Sequence, residues 1–306
     1  MKNKTLYVSD LDGTLLRSNQ TTSEYTNEVI NSLTEKGIVF SYATARSIYT
    51  SSKVTKGLDA KIPVITYNGA FIVDNCTHEV LHATYFDRNV YNLLREMFSE
   101  GVYPIVYSIV GGKERFSYYP SKSSKTILDF AASRNDERKR IVDSEEELVA
   151  GNIFYITCIE TPEKIKPFYD KYKDIYHCVY QRDIYSDEQW LEIMPKDVTK
   201  ASAVKKLKQI TKSDYVVVFG DGINDLEMFG AADECYAMAN AEPELKAVRN
   251  GVIILDLASF PGGVDTLVAS SLNLKVINGR GMPSKFTVKA AGEALGCAAD
   301  EIIRQL

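Results

Sequence analysis

The chain has 306 residues, 45% hydrophobic and 25% charged, an ordinary globular composition with length enough for a substantial core and two domains. Its formal net charge is −5, from 36 basic and 41 acidic residues, which excludes the basic footprint of a nucleic-acid binder and gives no reason to expect a membrane as partner. The cysteines (76, 158, 178, 235 and 297) are odd in number, dispersed and without a CxxC pair, so reduced thiols in a cytoplasmic protein are expected.

After Met1-Lys2-Asn3-Lys4 the apolar run extends only from Thr5 to Val8, too short for a signal-peptide core or a membrane span. Leu6 to Ser9 reads as a strand buried on both faces, ending at Asp10-Leu11-Asp12-Gly13. Thr21-x-x-Glu24 has the form of a capping box, opening a helix with Tyr25, Val29, Ile30 and Leu33 on one face and Gly37 as its stop. Ile38 to Tyr42 and Pro63 to Tyr67 read as two more buried strands. The first of these leads into Thr44-Ala45-Arg46, the second into a turn at Asn68-Gly69-Ala70.

From residue 83 to 189 tyrosines crowd in, among them Tyr103, Tyr107, Tyr118, Tyr119, Tyr155, Tyr176, Tyr180 and Tyr185, and strand-like runs alternate with polar helical stretches. Asn135 to Leu148 is densely charged and reads as a solvated helix face or loop. The parallel pattern resumes near Trp190, with a helix from Thr199 to Ile210 and strands at Tyr215 to Gly220, Glu234 to Met238 and Val252 to Leu255. The expected fold is therefore α/β: a Rossmann-like parallel-sheet core built from residues 1–82 and 190–306, interrupted by an inserted α+β domain at 83–189.

Four aspartates carry the chemical signal, because acids at the carboxyl ends of parallel strands converge where open α/β sheets hold ligands. Asp10 and Asp12 are two apart at a strand end, and Gly13 permits a tight turn whose backbone N–H groups can cradle a phosphate. A carboxylate nucleophile beside a proton-shuttling carboxyl is what a covalent aspartyl-phosphate needs; the plainer alternative is an acidic turn. Asp221, Asn224 and Asp225, at i, i+3 and i+4, would share one face of a first helical turn, or simply cap a helix. Carboxylates so gathered repel one another unless a cation holds them, and an oxygen-only donor set favours Mg²⁺. Thr44 offers a hydroxyl and neighbouring N–H groups to a phosphate, or an N-cap to a helix. Lys200 sits in a first helical turn, where the dipole disfavours a cation, so an anionic partner is expected. His78 and His82 near Cys76 lack a close fourth ligand and are not read as a zinc site.

Taken in order, DLDGTL, SYATAR, TYNGA, LEIMPKDVTK and GDGINDLEM resemble the haloacid dehalogenase superfamily, and more narrowly its Cof-type phosphatases, which insert a large cap after the third core strand. The resemblance covers roughly residues 4 to 250. It implies Asp10 as the nucleophile, Asp12 as general acid/base with its backbone carbonyl on Mg²⁺, and Lys200 restraining Asp10. Asp221 and Asp225 complete the implied metal site, with phosphate contacts from Leu11, Gly13, Thr44, Ala45, Arg46, Lys200 and Asn224. The implied activity is a Mg²⁺-dependent phosphatase of small phosphorylated metabolites, sugar phosphates or similar, with the cap setting specificity. A sugar phosphomutase shares the core motifs, and a phospho-acceptor regulatory module is the reading from another class. Ala45 stands where the family more often has glycine. Residues 272–306 run past a Gly263-Val264 helix start through Asn278-Gly279-Arg280-Gly281 with no role assigned, and neither substrate nor oligomeric state is legible.

Overall fold

The computed structural model describes residues 4–182, 188–246, 252–256 and 275–278, the last two stretches as backbone. The chain divides into two compact units, Met1–His82 with Thr199–Leu306, and Ala83–Val198. In the first unit the chain runs through β1 (Thr5–Asp10), α1 (Glu24–Glu35), β2 (Val39–Ala43), α2 (Ile48–Val54), β3 (Pro63–Thr66), β4 (Phe71–Asp74) and β5 (Val80–Ala83). The second unit holds α3 (Val90–Ser99), β6 (Ile105–Val110), β7 (Lys113–Tyr118), α4 (Lys125–Ser133), β8 (Lys139–Ile141), α5 (Glu145–Leu148), β9 (Asn152–Glu160), α6 (Pro162–Tyr172), β10 (His177–Arg182) and β11 (Gln189–Met194). The first unit then resumes with α7 (Lys200–Thr211), β12 (Tyr215–Gly220), α8 (Leu226–Gly230), β13 (Glu234–Met238), α9 (Pro243–Lys246), β14 (Val252–Asp256) and β15 (Lys275–Asn278).

The first unit is a sheet of order β15-β14-β13-β12-β1-β2-β3-β4-β5, parallel in every pair from β15 to β3 and antiparallel between β3 and β4. Leu6 and Val8 of β1 and Val216 and Val218 of β12 are buried with Val204 and Leu207 of α7, so the central strands read as continuous apolar runs rather than alternating ones. Replacing Leu207, fully buried there, by Ala would cost about 2–5 kcal/mol in lost contacts and cavity. The chain leaves β1 toward β2 and β3 on one side and returns through β12 and β13 on the other. The crevice between β1 and β12 is therefore the topological switch point, where ligands bind in open α/β sheets.

The second unit is a sheet of order β10-β11-β9-β6-β7-β8, antiparallel except for β7–β8. Leu93, Leu94 and Met97 of α3 and Ile165 and Phe168 of α6 are buried with Val106, Ile156 and Leu191 of the strands. Tyr103, Tyr107, Tyr118, Tyr155 and Tyr176 are buried, so they pack rather than present rings to solvent.

Several expectations are corrected here. The sequence pattern places residues from 190 in the core, but β11 pairs with β9 and β10 in the second sheet and the first unit resumes only at Thr199. Hydrogen bonding between strands, not the apolar run itself, assigns QWLEIM. The α1 cap is Ser23, whose hydroxyl accepts from Thr26 N–H, while Thr21 is held in a turn by the Asn19 carboxamide oxygen. The charged stretch 135–148 is not simply solvated: Arg138 is buried, ion-paired to Asp136 at 2.7 Å and Glu114 at 3.0 Å. In the tail, β15 adds a parallel strand beside β14, whereas the expected Gly263-Val264 helix and residues 279–306 lie outside the described residues, as does Tyr185.

Candidate active site

The ends of four strands, β1, β2, β12 and β13, and the start of α7 build the site. After β1 the chain turns through Leu11 to Leu15, and the turn closes with the Leu16 N–H on the Leu11 carbonyl at 2.8 Å. Gly13 has φ +82°, and a Cβ there would run into the Asp221 carboxylate; both facts require glycine. That close approach brings the loop after β1 against the loop after β12, where Thr14 Oγ1 donates to Asp221 Oδ1 at 2.8 Å.

Lys200 is the first residue of α7. Thr199 caps the helix by accepting from Ser202 N–H, while Ser202 Oγ accepts from Thr199 N–H, which satisfies two end groups reciprocally. The turn at Asn68-Gly69 packs against this start: Gly69 has φ +108°, and a side chain there would strike the Thr199 carbonyl. Held in this way, the buried Lys200 ammonium donates to Asp10 Oδ1 at 2.5 Å and to Asp225 Oδ1 at 2.8 Å. The other oxygen of Asp225 accepts the backbone N–H groups of Asp221 (3.0 Å) and Gly222 (3.1 Å), so this fully buried carboxylate is satisfied on both sides.

Charge is unbalanced. Asp10, Asp221 and Asp225 each offer an oxygen within 4.8 Å of the others, the one such His/Cys/Asp/Glu group among the described residues. Burial pushes the Asp10 carboxyl up to about 8, helped by the Asp225 and Asp221 charges and opposed by Lys200. Burial, followed by the charge of Asp225 among others, pushes Asp221 up to about 6, against its hydrogen bond from Thr14. For Lys200 burial favours the neutral amine, but Asp10 and Asp225 outweigh it and hold the ammonium charged. Two carboxylates at such separations repel by about 3–4 kcal/mol at an effective dielectric of about 20. Among the described residues one ammonium stands among three carboxylates, which leaves a negative excess on oxygen donors alone and fits a hard divalent cation.

The remaining expected residues are distributed differently. Leu11 is fully buried, so only its backbone can serve a phosphate. Thr44 is buried at the end of β2, and its hydroxyl accepts from Arg46 N–H at 3.1 Å; Ser47, not Thr44, caps α2. Ala45 is exposed. Arg46 reaches the Asp12 carboxylate with two hydrogen bonds, Nε to Oδ2 at 2.8 Å and Nη2 to Oδ1 at 2.5 Å. The Asp12 carboxylate is therefore directed to Arg46 and lies outside the three-carboxylate group. Asp221, Asn224 and Asp225 do not share a helix face. Gly222 precedes a tight turn at Ile223–Asp225, α8 begins only at Leu226, and Asp225 folds back onto the N–H groups before the turn. Asn224 is exposed, with its amide oxygen over Gly222. Cys76, expected not to bind zinc, is exposed and donates to the Asp59 carbonyl at 3.3 Å.

Two site residues escaped the sequence reading. Thr14 lies inside the quoted DLDGTL motif, and its hydroxyl was the available signal. Asn240 follows β13, the next parallel strand end, and its amide donates to the Gly13 carbonyl at 3.0 Å and to Asp221 Oδ2 at 3.3 Å. A polar residue just past a buried parallel strand was its signal. Among the described residues no helix is long and apolar enough to cross a membrane.

A family profile of haloacid dehalogenase-like hydrolases matches residues 7–255. A candidate phosphatase of Mycoplasma pneumoniae is 28% identical, covering 84% of this chain and 93% of its own length. Phosphatase YwpJ of Bacillus subtilis is 24% identical over 81% of this chain and 94% of its own. The crystal structure of TM0651 from Thermotoga maritima superposes with a TM-score of 0.67 at 25% identity, covering 89% of this chain and 97% of that one. With the profile spanning both halves of the core and the acidic strand ends in place, the chain belongs to the haloacid dehalogenase-like hydrolases, as a Cof-type member.

Proposed function

We propose that the protein is a Mg²⁺-dependent phosphatase that hydrolyses small phosphorylated metabolites, sugar phosphates or similar, through an aspartyl-phosphate on Asp10. The observation that carries this reading is the Lys200 ammonium bridging Asp10 and Asp225 while Asp221 completes a three-carboxylate group. The names of the Mycoplasma pneumoniae and Bacillus subtilis relatives support phosphatase chemistry.

Asp10, Asp221 and Asp225 would hold Mg²⁺, with the Asp12 backbone carbonyl. When bound, the ion supplies charge neutralisation between the carboxylates and the incoming phosphate. Lys200 orients Asp10 through Oδ1 and adds a fixed positive charge to the site. An Asp10 carboxylate oxygen bonds to phosphorus as the bond from phosphorus to the leaving oxygen breaks, and Asp12, as general acid, delivers a proton to that oxygen. Water then attacks phosphorus, Asp12 takes its proton, and inorganic phosphate leaves with Asp10 restored. For this role Asp12 must exchange part of its grip on Arg46 for the leaving group. Thr44, the N–H groups of Leu11, Gly13 and Ala45, and Asn224 are assigned to the phosphate.

All these groups lie in the first unit, so we assign the choice of leaving group to the inserted unit. The free cysteines 76, 158, 178 and 235 support a cytoplasmic setting. The test is phosphate release from a panel of sugar phosphates, nucleotides and cofactor phosphates, with Mg²⁺ and with chelator. Release that needs Mg²⁺ and no added sugar bisphosphate is expected. Full turnover in chelator overturns the metal reading, and a strict bisphosphate requirement turns the assignment to a mutase.

A further inference from the structure

Resting on the cation reading above, we propose that Asn240 is a positioning residue that presets the cation seat by locking the Asp221 carboxylate. Among the described residues each Asp221 oxygen has one side-chain donor: Thr14 Oγ1 on Oδ1 at 2.8 Å, and Asn240 Nδ2 on Oδ2 at 3.3 Å. The donors come from different strand ends, β1 and β13, so together they stop the carboxylate from rotating about its last bond. A carboxylate has about four lone-pair sites, so two donors leave capacity on both oxygens for an ion.

Asn240 itself is held from outside the site. Its turn closes with Ala241 N–H on the Met238 carbonyl at 2.9 Å, and Lys246 Nζ donates to the Ala239 carbonyl at 2.5 Å. From the same turn Glu242 N–H donates to the Asp221 carbonyl at 2.8 Å, so main chain and side chain of Asp221 are tied to one segment. The Asn240 amide also donates to the Gly13 carbonyl at 3.0 Å, which fixes the Asp10–Gly13 loop relative to Asp221. A neutral amide suits this position. An aspartate there would add a fourth carboxylate to a site with one ammonium, and it could not donate to either oxygen.

Partners that orient a metal's carboxylate ligands change affinity by about 10–100-fold when removed. Mg²⁺ needs near-ideal octahedral geometry, whereas Ca²⁺ accepts irregular sets, so a seat with fixed ligand directions also favours the smaller ion. The test is calorimetric titration of chelator-stripped protein with Mg²⁺ and with Ca²⁺, alongside the melting temperature with and without each ion. Asn240→Ala is expected to weaken Mg²⁺ binding by about 10-fold or more and to narrow the preference for Mg²⁺ over Ca²⁺. Thr14→Val should act in the same direction and Thr14→Ser should restore wild-type affinity. Asn240 is exposed, so Ala removes no core packing; Asn240→Gln, with its amide displaced by a methylene, is the second variant and is expected to weaken Mg²⁺ too. Mg²⁺ affinity within twofold of wild type in the Asn240 variants, with only the ion-free melting temperature lowered, overturns the proposal in favour of a purely structural role. Failure of the wild type to bind Mg²⁺ overturns the cation reading and this proposal with it.

Discussion

Arg46 grips Asp12 through two parallel hydrogen bonds, at 2.8 and 2.5 Å, although the pair is separated by most of the first βαβ segment. Bidentate guanidinium–carboxylate pairing fixes direction as well as charge. It thus decides where the Asp12 carboxylate waits before a substrate arrives. Asp12→Asn should lose about 10²–10⁴ in rate on alkyl phosphates, whose leaving groups need a proton, and much less on p-nitrophenyl phosphate. Arg46→Ala should lower the alkyl rate relative to the aryl rate in the same sense. Arg46→Lys should fall between, since it keeps charge without the two-point grip. Equal losses on both substrate types in Asp12→Asn would remove Asp12 from proton transfer.

Asp10→Asn should abolish turnover while leaving the fold intact. The amide is nearly isosteric but is a poor nucleophile and a weaker cation ligand. Phosphate release and circular dichroism on the same preparation check both halves, and steady-state turnover by a folded variant would exclude the covalent route.

Lys200→Ala should be costly to stability as well as to rate. Its ammonium is ion-paired to both Asp10 and Asp225, and Asp225 is fully buried. Removing one partner from a buried ionic group leaves uncompensated charge, a loss of about 3–5 kcal/mol. Urea denaturation of the ion-free protein measures it. Added Mg²⁺ should recover part of the loss by supplying positive charge to the same carboxylates.

The raised acids make a pH prediction with a definite sign. Asp221 is pushed up to about 6 and Asp10 to about 8, both from an ordinary value of 3.8. Between 3.8 and those values the folded ion-free protein holds protons that the unfolded chain has released, so their contribution falls as pH climbs through this window. A cation held by these carboxylates would compete with protons for the same oxygens. Mg²⁺ should therefore raise the melting temperature more at pH 8 than at pH 5. Scanning calorimetry at the two pH values checks this, and equal increments would contradict it.

Exchanging residues 83–198 with the equivalent segment of a relative of different preference should move the substrate ranking and leave the Mg²⁺ requirement unchanged. The boundary is drawn at 198 because β11 is hydrogen-bonded into the second sheet. A folded chimera that keeps its original ranking returns specificity to the first unit.

The core strands and the helix carrying Lys200 were legible in the sequence because their signals are local. Buried parallel strands are short apolar runs, and β1, β2, β3, β12 and β13 fall within a residue or two of where those runs lie. The acids at their ends were equally plain, since a carboxylate straight after an apolar run has no packing reason to be there. What only the tertiary structure decided is which group meets which. Lys200 lies 190 residues from Asp10, and its bridge to Asp10 and Asp225 exists only because the sheet order sets β1 beside β12 and packs α7 across them. The same holds for the reach of Asn240 to Gly13 and for Arg46 on Asp12, where any nearby carboxylate or phosphate would have satisfied the residue type. Likewise the apolar run of β11 suits either sheet, and its hydrogen-bonded neighbours, β9 and β10, assign it to the second. Hydrophobic periodicity specifies an element and the face it buries; partners distant in sequence are specified by topology and register, which no local window contains.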